Sequence, residues 1–431
     1  MNAGALPLWD AVDAELGLSE PARPLEKVSI QRRRRRSYDA REEDGRSALD
    51  LTRDPDGVLR WIYQPPARYA HSGRRAYRAH GIDAPVIVKR FQFADLAPNQ
   101  VTEALENLDG KLTPGRGLKR WDGAAWQPVR VPQINGRTLL LVHGTFSKGA
   151  MFSDELAATP AGRALFSQWQ DKSRYAAMLC FDHPTLSVGP WSNAIDLMHA
   201  IAKVKGPIDI VCHSRGGLVV AWLLRLADVP VRRVVFVGSP LTGTSLASPY
   251  QLRTALDMLA NVGDVLARGS SAFSLAQPLA AGAAGLARIF GKTLRLGSNL
   301  PIVDAAVALV PGLAAQQRIR NNLEIRQLFD EEWRTQPELS GIGVSFRPGE
   351  SAEGWKFWRR FTHVKEQIAY SAADLVFPGG NDLVVDLEAM AQLGEKKVLG
   401  TFQDLGVSEA THHCSYFRDE RVLQFMERQL R

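Results

Sequence analysis

The chain has 431 residues, room for one large domain with extensions or for two domains, and its 45% hydrophobic and 23% charged residues are those of an ordinary globular protein. A formal charge of +7 and a pI near 9.4 are modest for this length; they permit contact with anionic surfaces but do not indicate nucleic-acid binding. The cysteines Cys180, Cys212 and Cys414 lack C-x-x-C spacing, which argues against a disulfide framework or a cysteine-rich zinc site.

The opening MNAGALPLWDAVDAELGLSE carries acids where a secretory signal needs a basic start and an apolar run, so a cytoplasmic location is expected. Residues 1–84 read as an N-terminal extension, arginine-rich and expected to be partly disordered. The run Arg32 to Arg36 is able to dock on phosphate or anionic lipid, but acids follow at once (Asp39, Glu42, Glu43, Asp44), which favours the plainer reading of a solvated tail. A short strand is expected at 58–63, before Gln64-Pro65-Pro66.

Residues 85–431 read as the main domain. Strands are expected at 86–91 and 118–121, then at 138–142 (TLLLV), a continuous apolar run suited to burial on both faces of a parallel sheet. Similar runs recur at 177–181, 208–212 and 234–237. Segments of helical length, 154–170, 194–204 and 218–226, lie between them, and this alternation predicts an α/β architecture with a mostly parallel sheet. The rhythm breaks after Pro240: residues 249–335, rich in Ala, Leu and Gly, read as a helical insertion. Its uncharged stretch 269–287 contains Pro278 and too many polar residues for a membrane span. Strands return at 341–346 and 397–402, and an amphipathic helix at 418–429 turns Val422, Phe425 and Met426 inward.

The chemistry concentrates at Ile208-Asp209-Ile210-Val211-Cys212-His213-Ser214-Arg215-Gly216-Gly217-Leu218. A buried strand, a serine, two glycines and an apolar helix form a nucleophile-elbow context, in which positions two before and two after the serine must be small. Gly216 meets that need; Cys212 stands where glycine is usual. Alone, the same residues describe an ordinary strand-to-helix turn capped by Ser214. Downstream, Pro378-Gly379-Gly380-Asn381-Asp382 places a carboxylate after a tight loop, while Asp386, before Leu387-Glu388-Ala389, reads as a helix N-cap; Asp374 is a further candidate acid. A base is expected in Thr411-His412-His413-Cys414, where either histidine is a candidate. Ser, Asp and His then fall in α/β-hydrolase order. Asp182 and His183 end a strand but stand out of that order, and read as loop-structuring residues.

With these motifs, residues 138–431 resemble a lipase- or esterase-like domain of the α/β-hydrolase superfamily; Phe181-Asp182-His183-Pro184-Thr185 and Gly238-Ser239-Pro240-Leu241-Thr242-Gly243-Thr244 add to the likeness. The resemblance implies the α/β-hydrolase fold with a helical lid, a nucleophile Ser214, an acid Asp382 and a base His413, with His412 as the alternative base. It also implies that His143-Gly144-Thr145-Phe146 is an oxyanion loop. The Thr145 and Arg215 backbone N–H groups would then be the oxyanion donors and His143 a structural residue. No metal or organic cofactor is called for, since the histidines lack ligand spacing. The expected activity is serine ester hydrolysis on a hydrophobic acyl or lipid ester, with peripheral contact to an anionic surface as a further partner role. Acyl transfer by the same residues, and an inactive scaffold docking through its basic tail, are the alternative functions.

Overall fold

The structure, a computed structural model, describes residues 98–247, 310–319, 322–330, 332–347, 380–394 and 397–431. It also gives the backbone of strands β1 (Arg23–Pro24), β2 (Ser47–Arg53), β3 (Leu59–Gln64) and β4 (Val86–Phe93). The Arg32 to Arg36 run, most of the 249–335 insertion and Asp374 lie outside the described residues.

The first four strands form a sheet of their own, in order β1-β4-β2-β3 with antiparallel pairing. The segment 86–91 is therefore a strand, but it pairs with β2 (Leu49 opposite Phe91) and not with the main sheet. Alternation reveals a strand but not the ladder it joins.

The main sheet has eight strands in the order β14-β11-β10-β9-β7-β8-β5-β6. Its members are β5 (Gly117–Trp121), β6 (Trp126–Pro128), β7 (Thr138–Val142), β8 (Ala177–Asp182), β9 (Ile208–His213), β10 (Val231–Val237), β11 (Glu338–Phe346) and β14 (Thr401–Ser408). The six from β8 to β14 are parallel, while β5 and β6 add an antiparallel edge. This is the α/β-hydrolase fold that the sequence resemblance implied.

Strand burial explains the apolar runs. Leu139 and Leu141 of β7, with Val211 of β9, face one core with Phe152 and Leu156 of α2 (Ala150–Ala157) and Leu165 and Trp169 of α3 (Pro160–Gln170). The same core takes Val422, Phe425 and Met426 of α9 (Glu420–Gln429) and Leu105 and Leu112 of α1 (Pro98–Leu112). Leu140, Val142, Ile208 and Ile210 face the other core, against α4 (Pro190–Ala200) and α5 (Gly216–Leu226). Both faces are covered, so alternation with polar residues is lost.

Some expected boundaries move. The helix expected over 154–170 is two helices, because Pro160 cannot donate to a continuing ladder and Thr159 caps the second, its Oγ1 accepting the Gly162 N–H at 3.0 Å. The strand expected at 397–402 divides: Lys397–Val398 forms the short β13, paired with β12 (Gln392–Leu393), while β14 continues the main sheet as its outer strand. Described parts of the insertion include the helices α6 (Pro311–Ala314) and α7 (Leu323–Asp330). Asp386 stands before α8 (Leu387–Ala391), but its carboxylate makes no capping bond. Instead it accepts from Ser245 N–H, Ser245 Oγ and Arg318 Nη2.

Chain order fixes where a site belongs. From β7 the chain steps outward to β8, then crosses to β9 on the other flank of β7. The carboxyl ends of β7 and β9 are therefore a topological switch point, where adjacent connections run to opposite sides and leave a crevice.

Candidate active site

Ser214 sits at that switch point, between β9 and α5. Its φ is +54°, a conformation uncommon for a residue with a Cβ, and its N–H donates to Val237 O at 3.0 Å. The glycines explain how the turn packs. A Cβ on Gly216 would press into the Val142 and His143 carbonyls, and one on Gly144 would lie 2.5 Å from Ser214 Cβ. Cys212 is tolerated two residues before the serine, fully buried with Sγ 3.6 Å from Val235 O. The N-terminus of α5 directs its dipole toward the serine.

Asp382 and His413 meet although 31 residues separate them: His413 Nδ1 donates to Asp382 Oδ2 at 2.8 Å, and the His413 N–H donates to Asp382 O at 2.9 Å. The other carboxylate oxygen accepts the N–H groups of Val384 (3.0 Å) and Val385 (2.8 Å). Leu383, with φ +83°, makes the tight turn that aims them. Asp382 is wholly buried, and hydrogen bonds to both oxygens offset the desolvation of its charge. His412 lies elsewhere: its Nδ1 accepts the Cys414 N–H at 3.3 Å, its ring meets Phe346 edge-on, and burial pushes its pKa down to about 4.

Two neighbours escaped the sequence reading. Tyr416 donates its hydroxyl to Asp382 Oδ2 at 2.9 Å and accepts the Val344 N–H at 3.2 Å. Gly238 must be glycine beside it, since a Cβ there would be 2.6 Å from the tyrosine ring. His213 packs its ring on His413 (centroids 4.7 Å apart), and its Nε2–H donates to His413 O at 2.9 Å. That bond ties the residue before Ser214 to the histidine bonded to Asp382. A histidine beside the serine and a tyrosine three residues after His413 were the only available signals, and neither has a periodicity to mark it.

The loop after β7 is braced from below. His143 is completely buried; its Nδ1–H donates to Gly144 O at 2.9 Å and its Nε2 accepts the His183 N–H at 3.2 Å. Those two bonds fix the neutral tautomer, and desolvation holds its pKa below the ordinary value. Asp182 accepts the Gly149 N–H and pairs with Lys119. Among the described residues, the N–H groups of Thr145 and Arg215 donate to no protein acceptor. The Arg215 side chain is fully buried and reaches Val188 O, and burial lowers its pKa to about 10. Nearby, burial raises the Glu324 pKa to about 7.

Residues 115–431 match the family described as "Domain of unknown function (DUF7379)", and the chain belongs to that family. No curated protein matches the chain. Among solved structures, it is similar to the lipase BlEst2 of Bacillus licheniformis in mature form, at 15% identity and TM-score 0.37 over 70% of this chain and 96% of that one. It is also similar to the Cif epoxide hydrolase from Acinetobacter nosocomialis, at 12% identity and TM-score 0.38 over 78% of this chain and 98% of that one. A bromoperoxidase from Bacillus anthracis matches at 12% identity and TM-score 0.35, over 69% of this chain and 93% of that one.

Proposed function

We propose that the chain is a serine carboxylic-ester hydrolase, with Ser214 as nucleophile, His413 as base and Asp382 as the carboxylate that orients it. The observation that carries this reading is the His413–Asp382 pair, tied by the His213 bond to the residue before a serine at positive φ. As Ser214 Oγ forms its bond to the ester carbonyl carbon, His413 Nε2 takes the hydroxyl proton. The negative charge on the carbonyl oxygen is received by the Thr145 and Arg215 N–H groups, each such donor lowering the barrier by about 3 kcal/mol. Collapse breaks the bond to the alcohol oxygen, which takes the proton from His413 and leaves an acyl-serine. Water then attacks, giving its proton to the same nitrogen, and the acid is released with Ser214 reprotonated.

The acyl group is proposed to be hydrophobic, because the 249–335 insertion is rich in Leu and Ala. A fluorophosphonate probe with p-nitrophenyl esters of graded chain length tests the reading. Labelling should fall on Ser214, and Ser214→Ala should abolish both labelling and turnover. If the wild-type chain is unlabelled and hydrolyses no ester of any length, the reading fails.

A further inference from the structure

We propose that Asp109 and Thr113, which precede the family-matched region, are positioning residues that hold the Thr145 loop in its working conformation; this rests on the serine-hydrolase reading above. The loop needs holding. Phe146, immediately after Thr145, has φ +56°, a strained conformation for an aromatic residue that persists only where its surroundings over-determine it. Both sides of that residue are fastened to α1 or its C-terminal extension. On one side, the Phe146 N–H donates to Thr185 Oγ1 at 3.3 Å, and Thr185 Oγ1 in turn donates to Asp109 Oδ1 at 3.4 Å. On the other, Thr113 Oγ1 donates to Ser147 O at 2.9 Å.

Asp109 does more than close that relay. Its carboxylate accepts the N–H groups of Thr185 (2.9 Å), Leu186 (3.1 Å) and Ser187 (2.7 Å), and the Ser187 hydroxyl at 2.6 Å. A fully buried carboxylate thus takes the place of a backbone ladder for the turn after β8, the segment that supports Phe146. Arg215, next to the nucleophile, grips Val188 O of the same segment, and Asp109 is the foremost carboxylate favouring its buried charge. Helix α1 is anchored for the task by Leu105 and Leu112 in the main core. One carboxylate and one hydroxyl from outside the family-matched region therefore set the distance between the Thr145 N–H and the Ser214 turn.

The test uses the full chain and compares Thr113→Val, Thr113→Ser, Asp109→Asn and Asp109→Ala for kcat, KM and Tm on an acyl ester. A misplaced oxyanion donor lowers the stabilisation of the transition state and leaves ground-state binding alone, so Thr113→Val should lose about tenfold or more in kcat with KM within about twofold. Thr113→Ser keeps the donor and should restore kcat, and Asp109→Asn should fall below Thr113→Ser. A purely structural role would lower Tm and leave kcat intact. Folded Thr113→Val with wild-type kcat overturns the proposal, as does a loss in Thr113→Val that Thr113→Ser shares. If Asp109→Ala does not fold, the Thr113 pair decides. A wild-type chain that is neither labelled at Ser214 nor active overturns the hydrolase reading itself, a different result from an active wild type with indifferent variants.

Discussion

Tyr416 shows how much of the candidate site depends on single atoms. Its hydroxyl donates to Asp382 and accepts the Val344 N–H, so Tyr416→Phe removes a donor from a buried carboxylate and strands a buried amide. The expected cost is about 1–3 kcal/mol of stability by urea denaturation, with a measurable fall in kcat if Asp382 serves His413 as proposed. Ser214, Asp382 and His413 were legible as residue types in order, because a strand-serine-glycine turn, a Gly-rich loop before a carboxylate and a late histidine each leave a local mark. Tyr416, His213 and Asp109 were not. Each works through a partner between 34 and 200 residues away, or through backbone atoms, and a sequence window records neither. The choice between His412 and His413 had the same character. Adjacent side chains share a local sequence, and only the approach of Asp382 separates an imidazole bonded to a carboxylate from one that accepts the Cys414 N–H and packs on Phe346.

At the scale of elements, the buried strands were read most faithfully, because a parallel strand covered on both faces must be apolar throughout: TLLLV occupies β7 to the residue. Edge elements were read less well. Strand β14 runs through exposed and half-buried positions and was expected several residues early, where the chain actually forms β13. The joint between α2 and α3 was missed although its letters were present, since Thr159-Pro160 is a cap followed by a first-turn proline. Thr159→Ala should therefore cost about 1 kcal/mol, the usual value of an N-cap bond, read from the denaturation midpoint at unchanged slope. Of residues 249–335 the described parts include the helices α6 and α7, and composition carries no information on what they cover.

For the whole molecule, burial of neutral imidazoles sets the response to acid. His143, His183, His213 and His412 all have pKa values pushed below the ordinary 6.5 by desolvation. Below that value the unfolded chain binds protons that the folded chain refuses, so these groups stabilise the fold above pH 6.5 and lose that contribution as the pH falls, for His412 down to about 4. Glu324 acts in the other direction. Its pKa is raised from 4.5 to about 7, so the folded chain binds the extra proton between those values, and acidification through that window favours the fold. Unfolding free energy should fall between pH 7 and 4.5, and Glu324→Gln, which removes the opposing contribution, should steepen the fall in urea titrations at each pH. An unchanged slope in that variant would show that Glu324 is ionised normally in the folded chain.

Local patterns along the chain were enough for the α/β class, the two-sided burial of the central strands, and the order in which a serine, an aspartate and a histidine occur. These follow from local rules, since period, glycine placement and turn chemistry act over a few residues. Long-range packing was needed to place β4 in a separate sheet, to bond His413 rather than its neighbour to Asp382, and to bring Asp109 and Thr113 to the segments around the loop beside the serine. Those outcomes depend on which distant groups satisfy a buried charge or an open strand edge, and that choice is made in three dimensions.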